Sequence, residues 1–520
     1  MQKFFNTTGL CKPEEHYMVD PFRGLHAQFM RLIDNRQYFL LHAPRQTGKT
    51  TTLHALAHRL NEEGKYTAVV SSLEAAGYQS ITVEAANQVF IRGLYNKAQY
   101  FLPEQEWPPN WENYPEGENS FYNYLSDWAA AQKKPVVLLL DEVDALYDDV
   151  LISVLRQLRD GFQVRPNRFP QSVALVGLRD IREYRMKARG DNPSIGAGSP
   201  FNVKAKSFFL PVFSGKDVRD LLRQHTLATG QVFSKKAVEN IIEYSGGQPW
   251  LTNALANEII VEILNNDFSR KISPSMVEAA KERLIARRDT HLDSLVDKLK
   301  EPRVRQIVMT IINGAPPVFD DYDDALRYCQ DLGIVAQDRP IRFANPIYRE
   351  IIVRLMNTVL ADSFDEADVQ TTWYLRPDGS LDMDKLLQAF QQFYRRHAES
   401  WLNRFEYKES GHQLLLMAFL QRIVNGGGRL EREMAAGSGR TDLAVFWKNQ
   451  TIVLELKLKY DAETRDDGLR QIARYMDTLG QQHGYLILFE LKKSDAIPWA
   501  ERLRWSDEIY AEKRITVVEM

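Results

Sequence analysis

In the N-terminal half of the chain, short apolar runs alternate with stretches whose apolar residues recur at helical spacing. The apolar runs fall at residues 39–41, 66–72, 135–140 and 172–177. The helical patterns follow them at residues 49–60, 80–98, 119–132 and 148–160. Continuous apolar runs are typical of strands buried on both faces, and their alternation with helices predicts a parallel α/β sheet. Residues 101–120, rich in Pro, Trp and Glu, predict a surface loop.

The pattern changes after Pro211. Four helical stretches with short links predict a compact helical subdomain, at residues 214–228, 235–245, 250–265 and 274–287. Helical patterns continue over residues 300–358, interrupted at 333–343 by a predicted hairpin that turns at Asp338, Arg339 and Pro340. Helices followed by a hairpin indicate a winged helix. The acidic residues 361–379, punctuated by Gly and Pro, predict a linker.

A second α/β pattern begins near residue 384. Helices are predicted near 384–405, 409–424 and 464–479, and strands near 429–435, 441–447, 451–458 and 484–490. The chain has 520 residues, which is too long for one hydrophobic core. Separate domains are therefore expected on either side of the linker.

The loop after the first apolar run reads APRQTGKTT and leads directly into a helix. Backbone N–H groups at a helix N-terminus bind anions, so this layout predicts a phosphate-binding loop. Lys49 is expected to reach the β- and γ-phosphates of a nucleotide, and the Thr50 hydroxyl to ligate Mg²⁺. Ala43 stands where the usual motif opens with Gly. The expected nucleotide-binding residues of the loop are Arg45, Gln46, Thr47, Gly48, Lys49, Thr50 and Thr51.

Two acidic residues end the apolar run at 135–140. Asp141 is in position to hold Mg²⁺ through water beside a phosphate loop, and Glu142 to orient or deprotonate the attacking water. Arg179 follows the run at 172–177, where a guanidinium can pair with the γ-phosphate. A solvated charged loop is the alternative for Arg179.

Four segments, APRQTGKTT, VVLLLDEVD, GLRDIREY and GGQPWL, together resemble the AAA-like and STAND branch of P-loop ATPases over about residues 20–290. The resemblance implies ATP and Mg²⁺ as cofactors, a helical lid in which Gln248 and Pro249 pack near the nucleotide base, and a homo-oligomer as a candidate assembly. Its arginine finger has only candidates here, namely Arg182, Arg185 and Arg189.

A second set of polar residues lies on the predicted strands 441–447 and 451–458. If Lys448 and Asn449 form the turn between them, Asp442 lies directly across from Glu455 on one face of the sheet. Lys457 points to that same side, where it can orient a water or stabilise a phosphorane. Two adjacent carboxylates repel, so a buried pair needs either a proton or a cation. A divalent metal between them would activate water against a phosphodiester. The alternative is an edge strand whose polar residues face solvent.

Gln471 and Tyr475 share a face of the helix that follows. The segments GRTD, ELK and QIARY together resemble the PD-(D/E)XK nuclease superfamily, particularly RecB-like members, over about residues 385–520. The resemblance implies a Mg²⁺-dependent nuclease in which Gln471 and Tyr475 join the catalytic set. It also implies an acidic metal ligand on a preceding helix at Glu409, near His412, for which Glu399 competes.

Charge gives limited support for a nucleic-acid partner. The net charge is −3, and residues 396–520 carry as many basic as acidic side chains. Residues 281–305 have a basic excess, which is consistent either with DNA contact or with a solvated helix face. The two cysteines, Cys11 and Cys329, form no metal or disulfide framework. No apolar run approaches the ~18 residues of a membrane span, so a cytoplasmic protein without membrane contact is expected.

The predicted order is a P-loop ATPase core (1–211), a helical lid (212–290), a winged helix (291–360), a linker (361–383) and a nuclease-like α/β domain (384–520). We expect an ATP-binding and hydrolysing protein that controls a metal-dependent nuclease, in defence against foreign DNA or in DNA processing. DNA is favoured over RNA as the substrate. The alternative is an ATP-dependent signalling switch whose nuclease-like domain only binds a partner or nucleic acid.

Overall fold

The computed structural model describes residues 2–179, 204–287, 297–312, 323–352, 374–402, 428–436, 439–459, 463–490 and 504–520, together with 416, 419 and 420. The chain divides into two compact units. The first comprises Met1–Val308 with Pro317–Glu350, and the second Met309–Pro316 with Ile351–Met520. No helix in the described parts is both long and apolar enough to cross a bilayer.

The first unit contains a five-stranded parallel sheet in the order β2-β3-β4-β1-β5. Its strands are β1 (Tyr38–His42), β2 (Thr67–Ser72), β3 (Val136–Asp141), β4 (Ser172–Gly177) and β5 (Lys204–Phe209). The four predicted strands are confirmed, and the sheet is parallel as expected. β5 was missed because it is an edge strand that carries Lys204 and Lys206 and lacks a continuous apolar run.

Helices pack on both faces of this sheet. They are α1 (His26–Asp34), α2 (Lys49–Glu62), α3 (Val83–Phe101), α4 (Ser120–Ala131) and α5 (Asp148–Gly161). One apolar cluster joins α3, α4 and α5 to one face of the sheet, and another joins α1 and α2 to the opposite face. Phe29 and Phe39 stack within the second cluster, with ring centroids 5.4 Å apart. This contact holds α1 against β1.

The segment predicted as a surface loop, residues 101–120, covers part of the core instead of projecting from it. It forms two short 3-10 turns, Glu104–Glu106 and Trp111–Asn113. Trp107 donates from Nε1 to the Leu102 carbonyl at 2.9 Å, and Trp111 packs against the apolar cluster. The segment lies at the surface, as predicted, since most of its residues are exposed or half-buried, while Trp107, Trp111 and Tyr114 pack against the core.

Four helices follow the sheet in the first unit: α6 (Gly215–Thr229), α7 (Lys235–Ser245), α8 (Pro249–Asn257) and α9 (Pro274–Arg287). α8 continues as a π-helix over Glu258–Ile263. Two further helices are α10 (Pro302–Ile312) and α11 (Asp324–Asp331). The helical subdomain predicted after Pro211 is therefore observed.

The hairpin predicted at residues 333–343 is confirmed. Val335 bridges Phe343 in antiparallel fashion, and the Ala336 N–H donates to the Arg342 carbonyl at 2.9 Å. A helix, α12, follows at residues 346–352. Asn345 caps it by accepting from the Tyr348 N–H at 2.8 Å. The winged-helix architecture itself stays a prediction.

The second unit contains a six-stranded mixed sheet in the order β10-β11-β9-β8-β7-β6. Its strands are β6 (Gly428–Ala436), β7 (Gly439–Trp447), β8 (Gln450–Lys459), β9 (His483–Glu490), β10 (Arg504–Tyr510) and β11 (Lys513–Glu519). The helices are α13 (Met383–Leu402) and α14 (Glu463–Thr478). β10 and β11 were not predicted. The helix expected at 409–424 lies almost wholly outside the described residues.

The predicted register of the β7–β8 hairpin is confirmed over its paired residues. Trp447 pairs with Gln450 across a two-residue turn, and pairing runs in step to Leu443 and Leu454. Lys448 takes a positive φ of 50° in this turn. β8 lies between β7 and β9, so the edge-strand alternative is wrong.

Candidate nucleotide and nuclease sites

The phosphate-binding loop lies between β1 and α2, as predicted. Gly48 takes φ 90° immediately before α2, and Gln46 takes φ 56°. Ala43 is buried, its N–H donates to the Gly177 carbonyl, and its φ is outside the positive region. Alanine therefore fits the position where the usual motif has glycine, because the backbone there does not need a residue without Cβ.

Lys49 folds back over the loop. Its Nζ donates to the carbonyl oxygens of Ala43 and Pro44, each at 2.8 Å. Burial lowers the pKa of Lys49 to about 8, although the carboxylates of Asp144 and Asp141 oppose that shift. The ammonium is thus positioned at the centre of the loop, where a phosphate would favour its charged form.

Thr50 and Asp141 meet at the start of α2. The Thr50 hydroxyl donates to Asp141 Oδ2 at 2.6 Å. Burial raises the pKa of Asp141, while the Thr50 hydrogen bond and the Lys49 charge act in the opposite direction. A hydroxyl and a carboxylate are oxygen donors of the kind that Mg²⁺ prefers, so these two residues fit the predicted metal.

Glu142 follows directly in an unusual backbone conformation, with φ 58°. Its Oε2 accepts a hydrogen bond from the Ser72 hydroxyl at 2.6 Å. The charge of Glu142, together with a hydrogen bond between the two carboxyl groups, raises the pKa of Glu74. Ser72 and Glu74 were not predicted, because they lie at and just after the end of a different strand, β2, and have no local motif. They hold the Glu142 carboxylate at the carboxyl end of the sheet.

Arg179 lies at the end of β4, and its guanidinium is 5.1 Å from the centre of the Tyr328 ring in α11. The Tyr328 ring also packs against the Arg303 guanidinium, 3.4 Å from the ring centre. Direct contact of Arg179 with the γ-phosphate stays a prediction. The arginine-finger candidates Arg182, Arg185 and Arg189 lie outside the described residues.

Gln248 and Pro249 are next to the phosphate loop, as the predicted lid requires. Gln248 Nε2 donates to the Gln46 carbonyl at 3.5 Å, and Gln248 Oε1 caps α8 by accepting from the Leu251 N–H at 2.6 Å. Pro249 is the first residue of α8. Helix α8 therefore begins next to the phosphate loop, and its role as a lid stays a prediction.

Residues 6–23 form one side of a pocket next to the phosphate loop, which was not predicted from the sequence. Arg23 Nη2 donates to the Thr47 carbonyl at 2.6 Å, and the Cys11 N–H donates to the Thr51 hydroxyl at 3.4 Å. Burial lowers the pKa of Arg23 to about 10. This pocket, of about 120 Å³, lies between residues 6–23 and α8. Its lining includes Tyr17, Arg23, Gln46, Pro249, Trp250 and Asn253.

In the second unit, β8 and α14 bring together four predicted residues. Glu455 is completely buried, and Lys457 Nζ is 3.2 Å from its Oε1. Lys457 Nζ also donates to Gln471 Oε1 at 2.8 Å, and Gln471 Nε2 donates to the Tyr475 hydroxyl at 3.0 Å. Leu454 and Leu456 pack in the apolar cluster on the opposite face of the sheet, as expected. These contacts form a continuous chain of polar interactions from the buried carboxylate of Glu455 to the Tyr475 hydroxyl.

The remaining predicted ligands lie beyond what the structure describes. Asp442 is in β7, one residue before the last described pair with β8, but its side chain is not described. The same is true of the Glu399 side chain in α13, and Glu409 and His412 lie outside the described residues altogether. Among the described side chains, no group of three or more His, Cys, Asp or Glu could hold a metal ion.

Residues 32–184 match the family model of the AAA domain. This match supports an AAA-like P-loop ATPase domain in that segment. Among solved structures, the chain is similar to RuvB from Thermotoga maritima, described as a Holliday junction branch migration motor, at 15% identity and a TM-score of 0.33, covering 63% of this chain and 92% of that one. It is also similar to Cdc6p from Pyrobaculum aerophilum, at 16% identity and a TM-score of 0.36, covering 66% and 96%. No curated protein matches the chain by sequence.

Proposed function

We propose that the chain is an ATP-controlled nuclease, in which the AAA-like domain binds and hydrolyses ATP and the second unit cleaves a phosphodiester. Lys49 and the loop amides hold the phosphates, Thr50 and Asp141 hold Mg²⁺, and Glu142 takes the proton of the attacking water. Ser72 supports this assignment because its hydroxyl fixes one oxygen of Glu142. A base must lie within hydrogen-bond reach of the proton that it abstracts, and such orientation keeps it there.

The observation that carries the nuclease proposal is the line of contacts from Glu455 through Lys457 and Gln471 to Tyr475. A completely buried carboxylate is costly unless a cation pairs with it. Lys457 supplies one such cation, and its second contact, with Gln471, holds the ammonium at the rim of the site. Lys457 would then orient the attacking water or stabilise the phosphorane, with Gln471 and Tyr475 as positioning residues.

The metal would be held by Glu455 with Asp442, and by Glu409 if the resemblance extends that far. Mg²⁺ in such a site lowers the pKa of a bound water and stabilises charge on the phosphate. A buried carboxylate is the hard oxygen ligand that Mg²⁺ takes, so Glu455 fits this role. In this proposal, Lys457 is the side chain that contacts the substrate.

We further infer a cytoplasmic protein whose nucleic-acid partner is DNA rather than RNA, with a homo-oligomer as its assembly. The basic excess at residues 281–305 supports a contact with the phosphate backbone, since Lys and Arg there can replace counterions. Six of the described cations in this stretch already contact carboxylates, and Arg283 and Arg287 both contact the buried Glu258. Exposed ion pairs contribute little free energy, so these cations can exchange a carboxylate for a phosphate.

The test uses purified full-length protein with supercoiled plasmid, linear duplex, single-stranded DNA and RNA. Each substrate is incubated with and without Mg²⁺, and with ATP, ADP or no nucleotide. We expect Mg²⁺-dependent cleavage of DNA whose rate differs at least fivefold between ATP-bound and nucleotide-free protein, roughly 1 kcal/mol of coupling. Binding of nucleic acid without cleavage under every condition would instead support the binding-only switch.

Two variants separate the sites. Asp442→Asn should abolish DNA cleavage and leave ATP hydrolysis intact, because the two sites use separate metals. Lys49→Ala should lose the effect of ATP on cleavage. Control by ATP is wrong if cleavage by full-length protein is equal with ATP, with ADP and with neither.

A further inference from the structure

The pocket beside the phosphate loop contains buried polar atoms that lack partners among the described residues. Asn253 Oδ1 and the Tyr17 hydroxyl both have no hydrogen-bond partner, and both residues line this pocket. Asn253 is 7% exposed and Tyr17 3%. Buried polar groups in folded proteins are nearly always paired, so two such groups on residues that line one pocket point to the polar atoms of a ligand.

The first turn of α8 sets the orientation of the Asn253 amide. Its Nδ2 donates to the Pro249 carbonyl at 2.8 Å, one helical turn earlier. This bond occupies the donor end of the amide and leaves the acceptor oxygen as the end without a partner. Pro249, Trp250 and Leu221 also line the pocket. Asn253 therefore brings an acceptor without a described partner to a pocket that these three residues also line.

An acceptor in this position discriminates between purine bases. Adenine carries an amine donor at C6, whereas guanine carries a carbonyl acceptor at that position. The amine can donate to Asn253 Oδ1, while a carbonyl would bring two acceptors together in a buried site. A site built to hydrogen-bond a ligand group rejects analogues that lack the group, because the protein atom is then left unpaired.

We propose that Asn253 selects the adenine base, by accepting a hydrogen bond from the 6-amino group of ATP through Oδ1. This inference rests on the proposed nucleotide binding at the phosphate loop and adds the residue that determines base specificity. Gln46 and Gly48 line the same pocket, so a base placed there is continuous with phosphates at the loop. The Tyr17 hydroxyl is available to a ring nitrogen of the same base.

The test compares the affinities of ATP, inosine triphosphate and purine riboside triphosphate for full-length protein by calorimetry. Purine riboside triphosphate carries only hydrogen at C6, so it removes the donor without adding an acceptor. Wild-type protein should bind ATP at least tenfold more tightly than either analogue. In Asn253→Ala, the affinity ratio of ATP to purine riboside triphosphate should fall to within twofold of one.

Tyr17→Phe is the matched control, since it removes a polar group from the same pocket and keeps the Asn253 acceptor. It should preserve the tenfold ratio, and a collapse of the ratio in Tyr17→Phe would move the role to Tyr17. Equal binding of ATP and purine riboside triphosphate by wild-type protein overturns the inference without any variant. If the three triphosphates bind equally and binding depends on Lys49, only the base inference fails. If no triphosphate binds, the proposed ATP site fails as well.

Discussion

Gly333 lies against the ring of Pro44 in the phosphate-binding loop. A Cβ at Gly333 would be 2.6 Å from Pro44 Cγ and 2.8 Å from Pro44 Cβ, and Gly333 takes φ 75°. Next to this contact, Asp331 Oδ1 is 3.4 Å from His42 Nδ1. The segment formed by α11 and the hairpin at residues 333–343 therefore contacts the phosphate loop through the backbone of Gly333, at a place where no side chain fits. The Pro44 carbonyl also accepts from Lys49 Nζ, so this contact is connected to the nucleotide site.

Gly333→Ala should separate this segment from the phosphate loop. Gly230 is the matched control, because it has φ 79° and a Cβ added there would meet no atom within 4 Å. Both substitutions incur left-handed strain of about 1–2 kcal/mol. Only Gly333→Ala adds overpacking of about 1–3 kcal/mol. Native-state hydrogen exchange over residues 323–352 should show the excess opening in Gly333→Ala, and ATP affinity should change in that variant alone. Equal effects of the two substitutions would contradict the contact.

The affinity for ATP should fall above pH 8. Burial lowers the pKa of Lys49 to about 8 in the nucleotide-free protein, and bound phosphates would raise it again. Below pH 8 Lys49 is already charged in the nucleotide-free protein. Above pH 8 Lys49 is mostly neutral, so the binding of ATP must be accompanied by protonation of Lys49. The association constant should then decrease by up to tenfold per pH unit.

Calorimetry between pH 7 and 9.5 measures this dependence. Lys49→Arg keeps its charge throughout and should show a flat profile over the same range. Lys49→Ala should weaken ATP binding by at least tenfold, about 1.4 kcal/mol. A flat profile in wild-type protein would show that Lys49 stays charged in the free state.

Glu142→Gln should leave ATP affinity within threefold of wild type and reduce hydrolysis by at least about 100-fold, as expected for loss of a general base. Glu74→Gln makes the same chemical change on the neighbouring carboxyl group and is the control. It should keep most of the turnover, because Glu74 contacts Glu142 and has no assigned contact with water or nucleotide. Phosphate release measures both variants. Unchanged turnover in Glu142→Gln would remove Glu142 from the mechanism.

Mg²⁺ should stabilise the second unit through Glu455. In nucleotide-free wild-type protein, Mg²⁺ at 100 times its dissociation constant would add about 2.7 kcal/mol to the free energy of unfolding. Glu455→Gln removes the carboxylate but keeps its shape, so Mg²⁺ should no longer stabilise that variant. Asp141→Asn is the control, since it alters only the metal ligand of the ATP site. Thermal unfolding with and without Mg²⁺ reports this effect independently of cleavage. Equal stabilisation of wild type and Glu455→Gln would exclude Glu455 as a ligand.

The parts of the fold that were predicted correctly depend on residues close together in sequence. The phosphate loop is a strand, a turn and a helix start within a few residues, so Lys49 and Thr50 could be assigned from their spacing. The β7–β8 register follows from the two-residue turn at Lys448 and Asn449, since side chains alternate along each strand. The i, i+4 spacing placed Gln471 and Tyr475 together, and they are hydrogen-bonded.

The sequence by itself therefore determined the two α/β units, the phosphate loop and the chain of polar interactions between β8 and α14. Only the tertiary structure decided which distant residues come together at the proposed nucleotide site. Asn253, Tyr17 and Arg23 meet at one pocket, Ser72 reaches Glu142, and Gly333 reaches Pro44. These contacts join segments separated by tens to hundreds of residues. No local hydrophobic periodicity or turn motif specifies these contacts. They arise from the packing of helices and strands, and the sequence pattern of one element does not determine which other element it packs against.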